Sequence, residues 1–171
     1  MIRATTPEDV LAADEIYRFA KANFKALGID QWQFDYPDAK TITQDIADGV
    51  GYVLEVDGCV VGVSVYTVGA ERLYSLLEGG SWLTDGDDYL TIHRIAIAGD
   101  RKGEGLSKQL MAYGEDLARL KGCPSVRVDT HPDNKVMQGL IDACGYTYCG
   151  IYVVPAGEEK GSTRLCYEKV L

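Results

Sequence analysis

A run of apolar residues, Ile92 to Ile97, leads into Asp100-Arg101-Lys102-Gly103-Glu104-Gly105-Leu106-Ser107, and a pattern with Leu106, Leu110, Tyr113, Leu117 and Leu120 near helical spacing leads out. A strand that enters a glycine-rich turn and leaves as a helix constrains this chain more than any other stretch. Two glycines let the backbone take positive φ and come close to a ligand. The first N–H groups of a helix have no intrahelical partner, and together with the helix dipole they form an anion site. Arg101, Lys102 and Lys108 add positive charge there. The turn reads either as the holder of a phosphate-bearing ligand, gripped mainly by backbone, or as a plain tight surface turn. It is neither a dinucleotide fingerprint nor a P-loop, because GxGxxG and GxxxxGKS or GxxxxGKT are missing.

The chain around this turn has 171 residues, which suits a single domain over 1–171 with its own core. A net charge of -9 argues against general nucleic-acid binding and permits a cationic acceptor such as an amine. No apolar run approaches the ~20 residues of a membrane span, and the acidic, amphipathic N-terminus has no signal-peptide core. The five cysteines, at 59, 123, 144, 149 and 166, match no zinc spacing, so no metal is expected. Reduced cysteines point to a cytoplasmic setting.

Along the chain, Ile2 to Ala4 reads as a strand, and Thr6 as the cap of a helix with Pro7 at its first position. A second helix is expected from Asp38 to Asp48, after an aromatic-rich connection from Ile29 to Pro37. Tyr52 to Val56 and Cys59 to Tyr66, joined by Asp57-Gly58, form a hairpin. Within residues 69–88 only Leu73 to Leu77 has helical character. Tyr89 to Ile97 is apolar on both faces and reads as a central strand. Ser125 to Asp129 is another strand, and the loop from Thr130 to Asn134 caps a helix from about Lys135 to Cys144. Tyr146 to Val154 and Thr163 to Val170 complete the sheet. The order β-α-α-β-β-β-α-β-α-β-β describes a mixed α/β sheet with helices on both faces, not a fully alternating parallel one.

Two motifs in this order resemble those of the GNAT superfamily of acetyl-CoA-dependent N-acetyltransferases. The first is an apolar-Ala-apolar triplet, Ile95-Ala96-Ile97, followed eight residues later by Gly105 within Lys102-Gly103-Glu104-Gly105-Leu106-Ser107. Lys102 stands where the family has Gln or Arg, and Ser107 replaces the last small residue. The second is Asn134, followed by a helix that ends in Gly145-Tyr146. Ile29 to Pro37 and Thr91 to Ile97 are similar to a bacterial branch of the superfamily.

The resemblance implies a mostly antiparallel sheet of about seven strands, splayed between the fourth and fifth, here Tyr89–Ile97 and Ser125–Asp129. It implies acetyl-CoA as acetyl donor, its pyrophosphate held by the amides from Gly103 to Lys108. Its arm would pair with the backbone of Ile95 and Ile97 as an added strand does. Asn134 would contact the arm. A backbone N–H near Ile95 to Ile97 would polarise the thioester carbonyl.

Direct attack by a primary amine needs a proton acceptor, because an alkyl ammonium has a pKa of ~10. His93, two residues before Ile95, is the candidate base; the alternative is a buried polar residue bonded to a neighbour. The family's usual acid, a tyrosine seven residues after Asn134, is replaced by Ile141. Tyr148 or Cys149 would substitute, or solvent would protonate the thiolate. Gln31, Trp32, Tyr36 and Trp82 are candidate acceptor-wall residues, with Trp32 and Tyr36 equally readable as core filling at the edge of the helices. His131 either lines the acceptor site or shapes the Asp133-Asn134 cap. Two function classes remain: an N-acetyltransferase acting on an amine, and an acyl-CoA-binding sensor of the same fold. A homodimer is left open.

Overall fold

The hydrophobic patterning of the chain resolves, in a computed structural model that describes residues 1–171, into seven strands and four helices. These are β1 (Ile2–Ala4), α1 (Val10–Ala26), α2 (Ala39–Ala47), β2 (Gly51–Val56), β3 (Cys59–Val68), β4 (Leu90–Ile97), α3 (Leu106–Lys121), β5 (Ser125–Thr130), α4 (Lys135–Ala143), β6 (Thr147–Val153) and β7 (Thr163–Val170). The strands follow the order β1-β2-β3-β4-β5-β7-β6 in one sheet. β1 with β2, β2 with β3, β5 with β7 and β6 with β7 pair antiparallel, whereas β4 and β5 are parallel, with Leu90 opposite Val126 and Thr91 opposite Arg127. The mixed, mostly antiparallel α/β sheet of seven strands is therefore present. No helix is long and apolar enough to cross a membrane.

The helix expected from Pro7 begins instead as a 3-10 turn, Pro7–Asp9, and becomes α-helical at Val10. The Asp9 carboxylate accepts from Thr6 N at 2.8 Å and takes the Arg3 guanidinium at 2.6 and 2.9 Å, which tightens that first turn. Asp38 caps α2 by accepting from Thr41 N at 2.8 Å.

Contacts along the chain group the residues into two units, Met1–Tyr66 with His93–Tyr113, and Thr67–Ile92 with Gly114–Leu171. In the first unit, neighbouring residues of one strand point to opposite faces. Val53, Val63 and Ala96 pack with Ala13, Ile16 and Tyr17 of α1 and Ile42 of α2. Leu54, Ile95 and Ile97 pack with Leu106 and Leu110 of α3. Helices thus cover both faces.

The second unit is built around a buried ion pair. Glu168 is fully buried and Arg127 is 3% exposed, with Nε to Oε1 at 3.0 Å. The same carboxylate accepts from Ser125 Oγ at 2.6 Å and from Thr84 Oγ1 and Leu83 N. Burial alone would raise the Glu168 pKa, but the donors from Ser125, Thr84, Arg127 and Leu83 hold it below the usual carboxylate value. Arg127 is sandwiched between Tyr89 and Trp82, at 3.8 and 4.3 Å from the ring centroids. Residues 69–88, whose only helical part is the 3-10 turn Arg72–Leu76, are tied to β6 through paired bonds between Glu78 and Ile151. Gly80 is required there: a Cβ would stand 2.0 Å from Cys149 O.

Replacing Glu168 with Ala leaves the Arg127 charge buried without its partner, a loss of about 3–5 kcal/mol. Urea unfolding should show that drop, and a loss below about 1 kcal/mol would mean the pair is solvated.

Candidate functional site

Between β4 and α3 the backbone is shaped by three neighbours. Ala98 N donates to Val61 O at 2.9 Å, which fixes the end of the strand. Gly62 makes room for Ile97, since a Cβ there would lie 2.8 Å from Ile97 Cδ1. Leu106 and Leu110, 6% and 0% exposed, anchor the start of α3 in the core. The turn then passes through a 3-10 segment, Gly99–Arg101, and through Gly103 and Gly105 at φ of 87° and 73°. Those values favour glycine. A Cβ at either would meet no atom within 4 Å, so the space above both residues is open. The returning bonds are Lys108 N and Gln109 N to Gly105 O, at 3.1 and 3.4 Å; the amides ahead of them have no intrahelical acceptor to use.

The charges around the turn are not equivalent. Arg101 forks onto Glu104 at 2.7 and 2.8 Å, and this keeps the Glu104 carboxyl below its ordinary pKa. Arg101 is thereby neutralised, leaving Lys102 and Lys108. Lys102 Nζ rests over the Phe19 ring at 4.9 Å from its centroid. Phe19 in turn lies against Gly99, where a Cβ would come within 2.3 Å of the ring. A glycine, an aromatic face and a lysine thus stack, with the ammonium on the outside. An open, left-handed backbone at a helix start with two cations nearby suits a phosphate-bearing ligand.

β4 supplies the residues next to this turn. Ile95 and Ile97 face α3, and His93 is partly buried with its carbonyl accepting from Ser64 Oγ at 3.4 Å. Arg94 turns to the α1–α2 face at φ 54°, with Nη2 donating to Asp45 Oδ1 at 2.7 Å. Trp32 is a core residue, 9% exposed, edge-on to Tyr17 and tilted against Phe24. Tyr36 is 46% exposed and its ring lies 5.5 Å from Arg94 Cζ. Gln31 belongs to the same connection.

The other sequence-derived candidates belong to the second unit. Asn134 caps α4, its Oδ1 accepting from Met137 N at 3.1 Å. His131 Nδ1 accepts from Asp133 N at 3.1 Å, and its carbonyl accepts from Asn134 N at 3.0 Å. Tyr148 is half exposed and edge-on to Tyr167. Cys149 is buried, which pushes its thiol pKa up, and its Sγ donates to Thr147 O. Ile141 is wholly buried. Trp82 donates Nε1 to Tyr74 O at 3.1 Å and lines, with Tyr74, Tyr89, Arg127, Asp85 and Asp87, an open cavity of about 580 Å³.

Two features escaped the sequence reading: that cavity, and the buried, unpaired donors of Arg94. The cavity follows from pairings across more than forty residues of chain, which no local pattern reports. Arg94 did leave a signal, a charged residue within the apolar run from Ile92 to Ile97.

Comparison with known proteins agrees with the geometry. The acetyltransferase (GNAT) family profile matches residues 13–146. A GNAT-family acetyltransferase from Streptococcus agalactiae is 32% identical, with a TM-score of 0.88, over 100% of this chain and 95% of that one. Ribosomal-protein-alanine N-acetyltransferase from Brucella melitensis shares the fold at 22% identity, TM-score 0.71, over 100% and 99%. So does yncA from Salmonella typhimurium, solved with its cofactor acetyl-CoA, at 18% identity, TM-score 0.70, over 100% and 93%. No curated protein matches the sequence. With its strand–glycine turn–helix unit, its seven-stranded mixed sheet and these likenesses, the chain belongs to the acetyltransferase (GNAT) family.

Proposed function

We propose that this acetyltransferase moves the acetyl group of acetyl-CoA to a primary amine by direct attack. The observation that carries the reading is the open backbone at Gly103 and Gly105, at the start of α3. Acetyl-CoA supplies an acetyl group activated as a thioester. The amides from Gly103 to Lys108 hold its pyrophosphate, with Lys102 and Lys108 adding charge. The backbone of Ile95 and Ile97 pairs with its arm, and Ala96 keeps the strand close to α1. A β4 amide at this level donates to the acetyl oxygen as negative charge develops. A cofactor contact by Asn134 is part of the same proposal and rests on the family resemblance.

The nitrogen–carbon bond forms as the carbon–sulfur bond breaks, and the amine must first lose a proton. His93, two residues from Ile95, takes it. The departing thiolate collects a proton from solvent or from Tyr148. Much of the rate comes from holding both reactants on one strand.

Ile141, buried where the family places its tyrosine, favours a second reading, an acyl-CoA sensor without turnover. Thiol release over a broad amine panel separates the two: turnover with any amine removes the sensor.

Gly105→Arg fills the open space and costs about 1–2 kcal/mol for its positive φ. Calorimetry should show acetyl-CoA affinity falling on the order of 100-fold, about 2.7 kcal/mol, with the circular dichroism spectrum kept. Unchanged affinity would place the cofactor elsewhere. His93→Ala should lower kcat roughly 100-fold or more. A rate within about twofold of wild type would remove His93 from the mechanism.

A further inference from the structure

Arg94 is the one charged residue of β4, and it holds a left-handed backbone, φ 54°. Such strain in a non-glycine residue persists where the surroundings enforce it, and it concentrates at functional sites. Here Tyr17 enforces it, with its hydroxyl donating to Arg94 O at 3.1 Å. The Arg94 side chain is only 12% exposed. Nη2 donates to Asp45, but Nε and Nη1 are buried and make no hydrogen bond. Gln31 Oε1 is likewise buried without a donor. Donors of a buried cation left unmade are expensive, and native structures almost always satisfy them.

The face on which Arg94 lies narrows what would satisfy them. Asp45 belongs to α2 and Tyr17 to α1, so the guanidinium is on the α1–α2 face. The glycine turn opens α3, which packs on the opposite face against Ile95 and Ile97. A cofactor phosphate held at that turn does not meet Arg94. What meets it approaches β4 from the α1–α2 face, one residue from Ile95. Tyr36 covers the guanidinium, is 46% exposed, and sits in a connection without regular structure, just after left-handed Asp35.

We propose that Arg94 binds the carboxylate of the acceptor, so that the substrate is a small amine of amino-acid type, admitted when Tyr36 moves aside. A planar guanidinium with two unused donors matches a carboxylate better than any neutral group. Asp45 holds Nη2 and keeps the fork in place, and the acceptor's own ammonium offsets the added negative charge. The inference rests on the acetyltransferase reading.

The test is thiol release from acetyl-CoA with matched pairs, α-amino acids against the amines that lack the carboxylate. The wild type should favour the carboxylate member by on the order of 100-fold in kcat/KM. R94Q should lose roughly that factor on the carboxylate members and little on the others, with acetyl-CoA affinity by calorimetry unchanged. The double variant R94Q/D45N, which leaves no buried charge unpaired, serves where R94Q alone melts early. Equal turnover of both members by the wild type, equal losses on both in R94Q, or acetyl-CoA binding with no turnover of any amino acid overturns the inference and leaves the cofactor site standing. Absence of acetyl-CoA binding to the folded wild type overturns the acetyltransferase reading, and this inference with it.

Discussion

Leu106 and Leu110 of α3, packed against Leu54, Val61, Ile95 and Ile97, hold together the part of the molecule on which the proposed chemistry depends. Each buried leucine contributes roughly 1.5–3 kcal/mol, enough to fix where α3 begins. Once the helix start and the end of β4 are both pinned, the residues between them must reverse within a short span. Gly103 and Gly105 take the left-handed conformations that this demands. The open amides of the turn are a consequence of that packing, and not of any side chain placed to bind.

The alternation of β4 then divides labour between two faces. Ile95 and Ile97 serve α3 and the turn, whereas Ala96 serves α1. Arg94 departs from the apolar pattern and carries its charge to Asp45. A buried ion pair of this kind is weak evidence for stability by itself. Its unpaired nitrogens set it apart from a purely architectural pair and fit the carboxylate contact proposed for it. In the second unit the Arg127–Glu168 pair differs: its carboxylate is saturated by Ser125, Thr84 and Leu83, so it reads as architecture.

Much of this was legible in the sequence because it rests on local rules. The Asp57-Gly58 hairpin, the loop ending at Asn134 that caps α4, and the β4–turn–α3 unit all follow from turn chemistry, capping and hydrophobic period. The 3-10 start at Pro7 was missed because Arg3, from the preceding strand, bridges to Asp9. Residues 69–88 were opaque because their shape is imposed from afar: Trp82 lies on Arg127 and Gly80 against Cys149. No spacing rule places Trp82 on a strand residue 45 positions later. The strain at Arg94 was equally hidden, since a propensity-based reading treats the residue as one more strand position.

The measurement that bears most directly on the central claim is amide chemical-shift mapping of the folded, isotopically labelled protein titrated with acetyl-CoA. The expected result is saturable binding with the largest shifts at the amides of Gly103 to Lys108, and smaller ones at Ile95 and Ile97. Saturable binding that leaves the Gly103–Lys108 amides unmoved, or no binding at all, would contradict the assignment of this turn as the cofactor cradle.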